Sequence, residues 1–201
     1  MTADFRTALP AFIAQEARPV DKFGHQPRLE ALTREVAAGC AHDADIVFAA
    51  AWLHDLGVFV GHRPEDPEKL SRWDHVAYAC QHAPRILRDA GFPEEKIPAV
   101  LDVIRQHQPK DEPLTIEAVI LRDADILEQL GAVGIFRTVS KVGRDTRFAH
   151  FSDAAAALRR ALDDLPKHIR LDSTRRLAEP RIRILQAFLD AADDEAGTRL
   201  L

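Results

Sequence analysis

The stretch Ile46-Val-Phe-Ala-Ala-Ala-Trp-Leu-His54-Asp55-Leu-Gly57 is apolar for eight residues and then sets an imidazole beside a carboxylate. Neither polar side chain belongs in a core unless a partner satisfies it. A divalent metal is one such partner, because imidazole nitrogen and carboxylate oxygen are the donors that suit Zn, Mn, Fe or Ni. On a continuous helix the two side chains diverge by ~100°, so an ion must sit beside the groove between them, with further ligands from other helices.

Working outward, helical periodicity recurs along the whole chain, and no stretch of four to eight residues alternates apolar and polar as a half-buried strand does. The fold class is therefore all-α, a globular helical bundle. Helices are expected over roughly residues 4–17, 27–39, 44–56, 72–90, 94–107, 115–130, 131–142, 153–163 and 173–195. Breakers agree with this division: Gly24 and Pro27 before the second helix, Gly39 after it, Gly91 and Pro93 between two others, Pro109 and Pro113 before another. The longest irregular stretch runs from Val58 to Leu70 and reads equally as a rim for substrate or as a solvated loop.

With 201 residues, 46% of them hydrophobic, the chain can bury a real core. It is expected to form one domain over 1–201, with a core at about 20–145 and a C-terminal helical extension at about 146–201. The net charge of −5 gives no electrostatic reason to expect nucleic acid as a partner. No segment reads as a membrane span or a signal peptide. Cys40 and Cys80 form no CxxC pair and read as small buried residues in a reducing cytoplasm. The arginines of the last helix, Arg175, Arg176, Arg181 and Arg183, are expected to face solvent or to pair with acids.

Two segments can complete a site around His54-Asp55. One is Gly24-His25-Gln-Pro-Arg28-Leu29 at a helix start; the other is Leu121-Arg-Asp123-Ala-Asp125-Ile-Leu127 within a helix. The order His25, then His54-Asp55, then an Asp within Asp-Ala-Asp resembles the H…HD…D signature of the HD-domain superfamily of metal-dependent phosphohydrolases. The His25-x-x-Arg28 spacing and the flanks Leu53-His54-Asp55-Leu56-Gly57 and Ala124-Asp125-Ile-Leu127 belong to the same likeness, which spans about residues 20 to 145. It implies that His25, His54, Asp55 and Asp125 hold one divalent ion (Mn, Fe, Co, Ni, Zn or Mg), with water completing its shell. Helical phase alone favours Asp123, which falls in the apolar stripe of Ile116, Val119, Ile120, Leu127 and Leu130. On the likeness the ligand is Asp125, and Asp123 is left as a supporting or substrate-orienting carboxylate.

Two neutral imidazoles and two carboxylates leave a divalent ion near charge neutrality with open positions. Such an ion lowers the pKa of bound water and polarises a phosphoryl oxygen. Asp55 is the candidate to orient or deprotonate the attacking water. Positive charge for the phosphate is sought first at Arg28, one turn after His25, and then at Arg122, Arg137, Lys141 and Arg144. His75 and His107 are candidates for supporting the site or for a second ion. His42, His62, His150 and His168 show no ligand-like pairing and read as surface residues.

The implied activity is hydrolysis of a small phosphorylated molecule, a nucleotide or another phosphomonoester, by a cytoplasmic protein for which a homodimer is compatible. Several nucleotide-hydrolysing relatives carry a basic residue right after the ligand Asp, where this chain has Ile126, which counts against a nucleoside triphosphate. The competing expectations are a di-iron oxygenase of the same superfamily, which needs the extra histidines, and a catalytically inactive nucleotide-binding module.

Overall fold

The computed structural model describes residues 4–19, 22–145 and 147–196. Its helices are α1 Phe5–Glu16, α2 His25–Val36, α3 Ala44–Leu53, α4 Pro67–Ser71, α5 His75–Asp89, α6 Ile97–Arg105, α7 Ile116–Gln129, α8 Gly131–Val139, α9 Phe151–His168 and α10 Asp172–Ala196. No strand occurs among the described residues; a single isolated bridge joins Val60 and Arg63. The all-α expectation holds, and so does the placement of its nine helices.

Three details differ from the periodicity. The segment between Val58 and Leu70 is not wholly irregular: Asp66 accepts a hydrogen bond from the Lys69 amide and Pro67 opens the short α4, a capped start too brief to show a period. The helix expected over 153–163 continues to His168, through Pro166. A proline with helical φ removes only one amide donor, a small loss in a last turn. The third difference, the end of α3 at Leu53, shapes the site.

The chain divides into two compact units, one up to Arg122 and one from Asp123, the division falling within α7. In the first unit α3 is the central helix, packed against α1, α2, α5 and α6. Its residues from Val47 to Leu53 are all buried, which is what a helix apolar on every side requires. Asp43 caps it by accepting from the amides of Asp45 and Ile46, at 3.0 and 3.3 Å. The Lys96 ammonium then holds Asp43 and Asp45 together at 2.8 and 2.9 Å.

In the second unit α8, α9 and α10 pack pairwise. The buried face of α10 carries Thr174, Ala178, Leu185 and Leu189, spaced by turns of the helix. Arg181 on this helix does not face solvent freely: its guanidinium donates at 2.7 Å to the Leu127 carbonyl in the last turn of α7, which also takes the Leu130 amide at 3.2 Å. A Cβ at position 134 would run into the Gln129 carbonyl, so Gly134 lets α8 begin tight against the end of α7. Among the described residues no helix is long and apolar enough to cross a membrane.

Candidate metal centre

α3 stops one residue before the His-Asp pair. The Ala50 carbonyl still takes the His54 amide at 2.9 Å, but Asp55 leaves the helical region at φ −97° and ψ 13° and starts a short 3-10 turn over Leu56–Val58. The pair is therefore not the continuous helix expected over 44–56. That break relaxes the ~100° divergence a helix would impose on neighbours and turns the Asp55 carboxylate back towards the imidazoles.

His54 is 1% exposed, and its Nδ1 lies 3.0 Å from the Ala51 carbonyl. A carbonyl only accepts, so Nδ1 carries the proton and the Nε2 lone pair points outward, the arrangement that second-sphere carbonyls impose on ligand histidines. His107 repeats it beyond the end of α6: it is 3% exposed, with Nδ1 2.6 Å from the Ile104 carbonyl. The His54 and His107 rings meet at 4.9 Å between centroids. His25, the first residue of α2, brings its Nε2 to 3.3 Å from that of His54.

Asp55 stands among these rings. Its Oδ2 is 3.6 Å from His25 Nε2, and its Oδ1 is 3.7 Å from His54 Nε2 and 4.0 Å from His75 Nε2. Burial alone would raise its pKa; protonation of His54, His25, His107 and His75 outweighs that and holds the carboxyl far below its ordinary range whenever no metal occupies their lone pairs. One donor atom each from His54, Asp55 and His107 fit within 4.8 Å of one another. Imidazole lone pairs and a carboxylate facing a common point repel one another unless a cation lies between them, so the donor set fits a divalent metal ion.

His75 opens α5 and reaches Asp55 through a close approach of backbone. A Cβ at position 57 would lie 2.7 Å from the His75 carbonyl oxygen and 2.8 Å from its Cα; only glycine lets the two segments come so near. The Trp73 indole N–H donates to the Gly57 carbonyl at 2.7 Å and closes the same junction. His75 and His107, candidates for supporting the site or for a second ion, come from different helices and both lie beside His54-Asp55.

The other expected residues lie as follows. Asp123 is fully buried and its carboxylate accepts from the amides of Arg170 and Leu171, at 3.1 and 2.9 Å; it anchors the link between α9 and α10. Asp125 is half-buried two residues along α7, where the Gln129 amide group donates to its Oδ2 at 3.0 Å. Arg28 is exposed one turn after His25. Lys141 lies over the Phe148 ring at 5.3 Å. His62 is not the surface residue expected: its Nε2 lies 2.8 Å from Glu16 Oε2 and its Nδ1 3.0 Å from the Tyr78 hydroxyl.

Solved structures share this architecture. A protein described as a predicted HD superfamily hydrolase, from an uncultured Thermotogales bacterium, matches with a TM-score of 0.67 at 23% identity, over 97% of this chain and 95% of its own. Bacillus subtilis YpgQ, solved in complex with ADP, matches with a TM-score of 0.73 at 21% identity, over 96% of this chain and 98% of its own. An HD-superfamily hydrolase from Bacillus thuringiensis matches with a TM-score of 0.69 at 20% identity, over 94% and 95%. No curated protein matches the chain. The HD-domain family model matches residues 23–130, which hold His25, His54-Asp55, His107 and Asp125. With more than half of its length under that model and the histidine-carboxylate cluster in place, the chain belongs to the HD-domain family.

Proposed function

We propose that the chain is a metal-dependent phosphohydrolase that cleaves a small phosphorylated substrate, a nucleotide or another phosphomonoester. The observation that carries this reading is the convergence of His25, His54 and His107 on Asp55, with His54 and His107 locked by backbone carbonyls into the tautomer that presents Nε2. His25, His54, Asp55 and Asp125 are proposed as the ligands, Asp125 because it stands in the signature position after Ala124. Two carboxylates and two neutral imidazoles would balance a divalent charge. The solution of YpgQ with ADP supports a nucleotide among the substrates to be tried.

The ion, when bound, supplies an acidified water and a Lewis acid for the phosphoryl oxygen. The chain does the rest. His54, fixed by the Ala51 carbonyl, keeps its Nε2 lone pair for coordination. Asp55 would hold the ion through its carboxylate and is the group placed to orient or deprotonate the attacking water. The Asp55→Ala variant is expected to lose metal and to lose phosphate release by at least about a hundredfold. Elemental analysis and a panel of phosphate esters assayed with Mn, Co, Ni and Mg check both, and full activity in that variant would refute the assignment.

The placement of His75 and His107 beside Asp55 favours a second reading, in which the same pocket takes two ions. Two irons per chain after anaerobic purification, with oxygen uptake in place of phosphate release, would replace the hydrolase by the oxygenase.

A further inference from the structure

The face of α5 that begins at the metal centre does not end there. His75, Tyr78 and His82 follow one another at helical spacing, so they form a stripe that starts beside Asp55 and runs away from it along the helix. All three are half-exposed. The Tyr78 and His82 rings stack at 4.1 Å with 30° between their planes, and Trp73, itself held by the Gly57 carbonyl, packs on Tyr78 at 5.2 Å. The result is a bank of flat side chains one helical turn from a site suited to phosphate.

A second observation gives this bank a polarity. Glu16 at the end of α1 can only accept from His62, so His62 Nε2 carries the proton. In the neutral ring Nδ1 is then an acceptor, and at 3.0 Å it takes the Tyr78 hydroxyl hydrogen. With that hydrogen committed, the phenol oxygen offers only its lone pairs to anything that arrives. A phosphate oxygen, itself an acceptor, is not what it would bind.

We propose that Tyr78, aligned by Glu16 and His62 and flanked by Trp73 and His82, is the subsite for the organic part of the phosphate ester, a flat ring system bearing an N–H or O–H donor. The assignment rests on the hydrolase reading for its neighbour, the metal centre, but not for its own test. Trp73 and His82 supply stacking surface, worth several-fold in affinity for a planar group. Tyr78 reads the donor, and Glu16 and His62 are positioning residues that keep it an acceptor.

Adenosine, which has flat ring, amino and hydroxyl donors but no phosphate, is the probe. Titrated into the Mn-loaded full chain and followed by calorimetry, it is expected to bind saturably with Kd below about 1 mM. The imidazole C–H resonances of His62 and His82 should shift in step. Tyr78→Phe keeps the ring and removes the acceptor, and it should weaken adenosine by about three- to tenfold. Absence of saturable binding, or a Tyr78→Phe variant that binds as tightly as the wild type, overturns the subsite. Because adenosine carries no phosphate, binding without any ester hydrolysis would sink the hydrolase and leave the subsite standing, and hydrolysis without binding would do the reverse.

Discussion

At the scale of single residues, Gly57 shows how a site can depend on a side chain that is missing. Its carbonyl takes the Trp73 indole, and its bare Cα admits the His75 backbone. Gly57→Ala must push the start of α5 away by some tenths of an ångström, and His75 Nε2 already stands 4.0 Å from Asp55. The variant is expected to remain folded with His54 in place and to lose whatever His75 contributes: if two ions are held, one departs, and elemental analysis falls from two equivalents towards one. Unchanged stoichiometry in a protein that binds two would show that His75 is not a ligand. The sequence made part of this legible. His25, His54 and Asp55 could be read because an apolar run cannot tolerate an unsatisfied imidazole and carboxylate. His75 and His107 were offered only as candidates on the likeness, because their convergence depends on where α5 and α6 cross α3. His62 was misread for the same reason, its partners Glu16 and Tyr78 lying on two other helices.

At the scale of elements, periodicity located the long helices well because each buries one continuous stripe, and it missed α4, where five residues are held by a cap and a proline. The end of α3 was set too late, since apolar residues resume at Leu56 after the His-Asp pair while the backbone leaves the helix at Asp55. The two aspartates of α7 illustrate what helical phase can and cannot decide. It correctly found Asp123 in the buried stripe, yet burial came from a structural duty, the two amides at the α9–α10 link. Asp123→Ala removes the acceptor of those two part-buried amides and should lower stability by about 1 to 3 kcal/mol. Asp125→Ala, on the metal-ligand reading, should lower metal content instead. Thermal melts of the metal-free variants beside elemental analysis separate the duties, and a stable Asp123→Ala protein that no longer takes up metal would reverse them.

At the scale of the whole molecule, the charged groups outside the metal centre set how stability responds to pH. Partial burial pulls the Asp43 carboxyl up, but the Lys96 hydrogen bond and the amides of Ile46 and Asp45 outweigh it, and the net shift is below the ordinary 3.8. Asp45 is lowered chiefly by Lys96, with Arg6 assisting against burial. In the other unit the Arg147 guanidinium holds Asp145 down at about 2. A carboxyl whose folded pKa is depressed contributes stability that is complete above its unfolded pKa and is lost as pH falls through the folded one. For Asp145 that window runs from 3.8 down to about 2. Lys96 has the opposite sign: hydrogen bonds to Asp43 and Asp45 raise it above 10.5, so its share is present at neutral pH and disappears only as pH climbs through that raised value. The share of stability that these groups give the metal-free protein is therefore expected to be constant between about pH 5 and 8 and to fall steeply below about pH 4. Lys96→Met should lower the neutral plateau and make the acid descent shallower, because Asp43 and Asp45 then titrate nearer their unfolded values. Melting curves across this range check it, and an acid slope identical in Lys96→Met and wild type would show that the Asp43-Asp45-Lys96 cluster carries no pH-dependent stability.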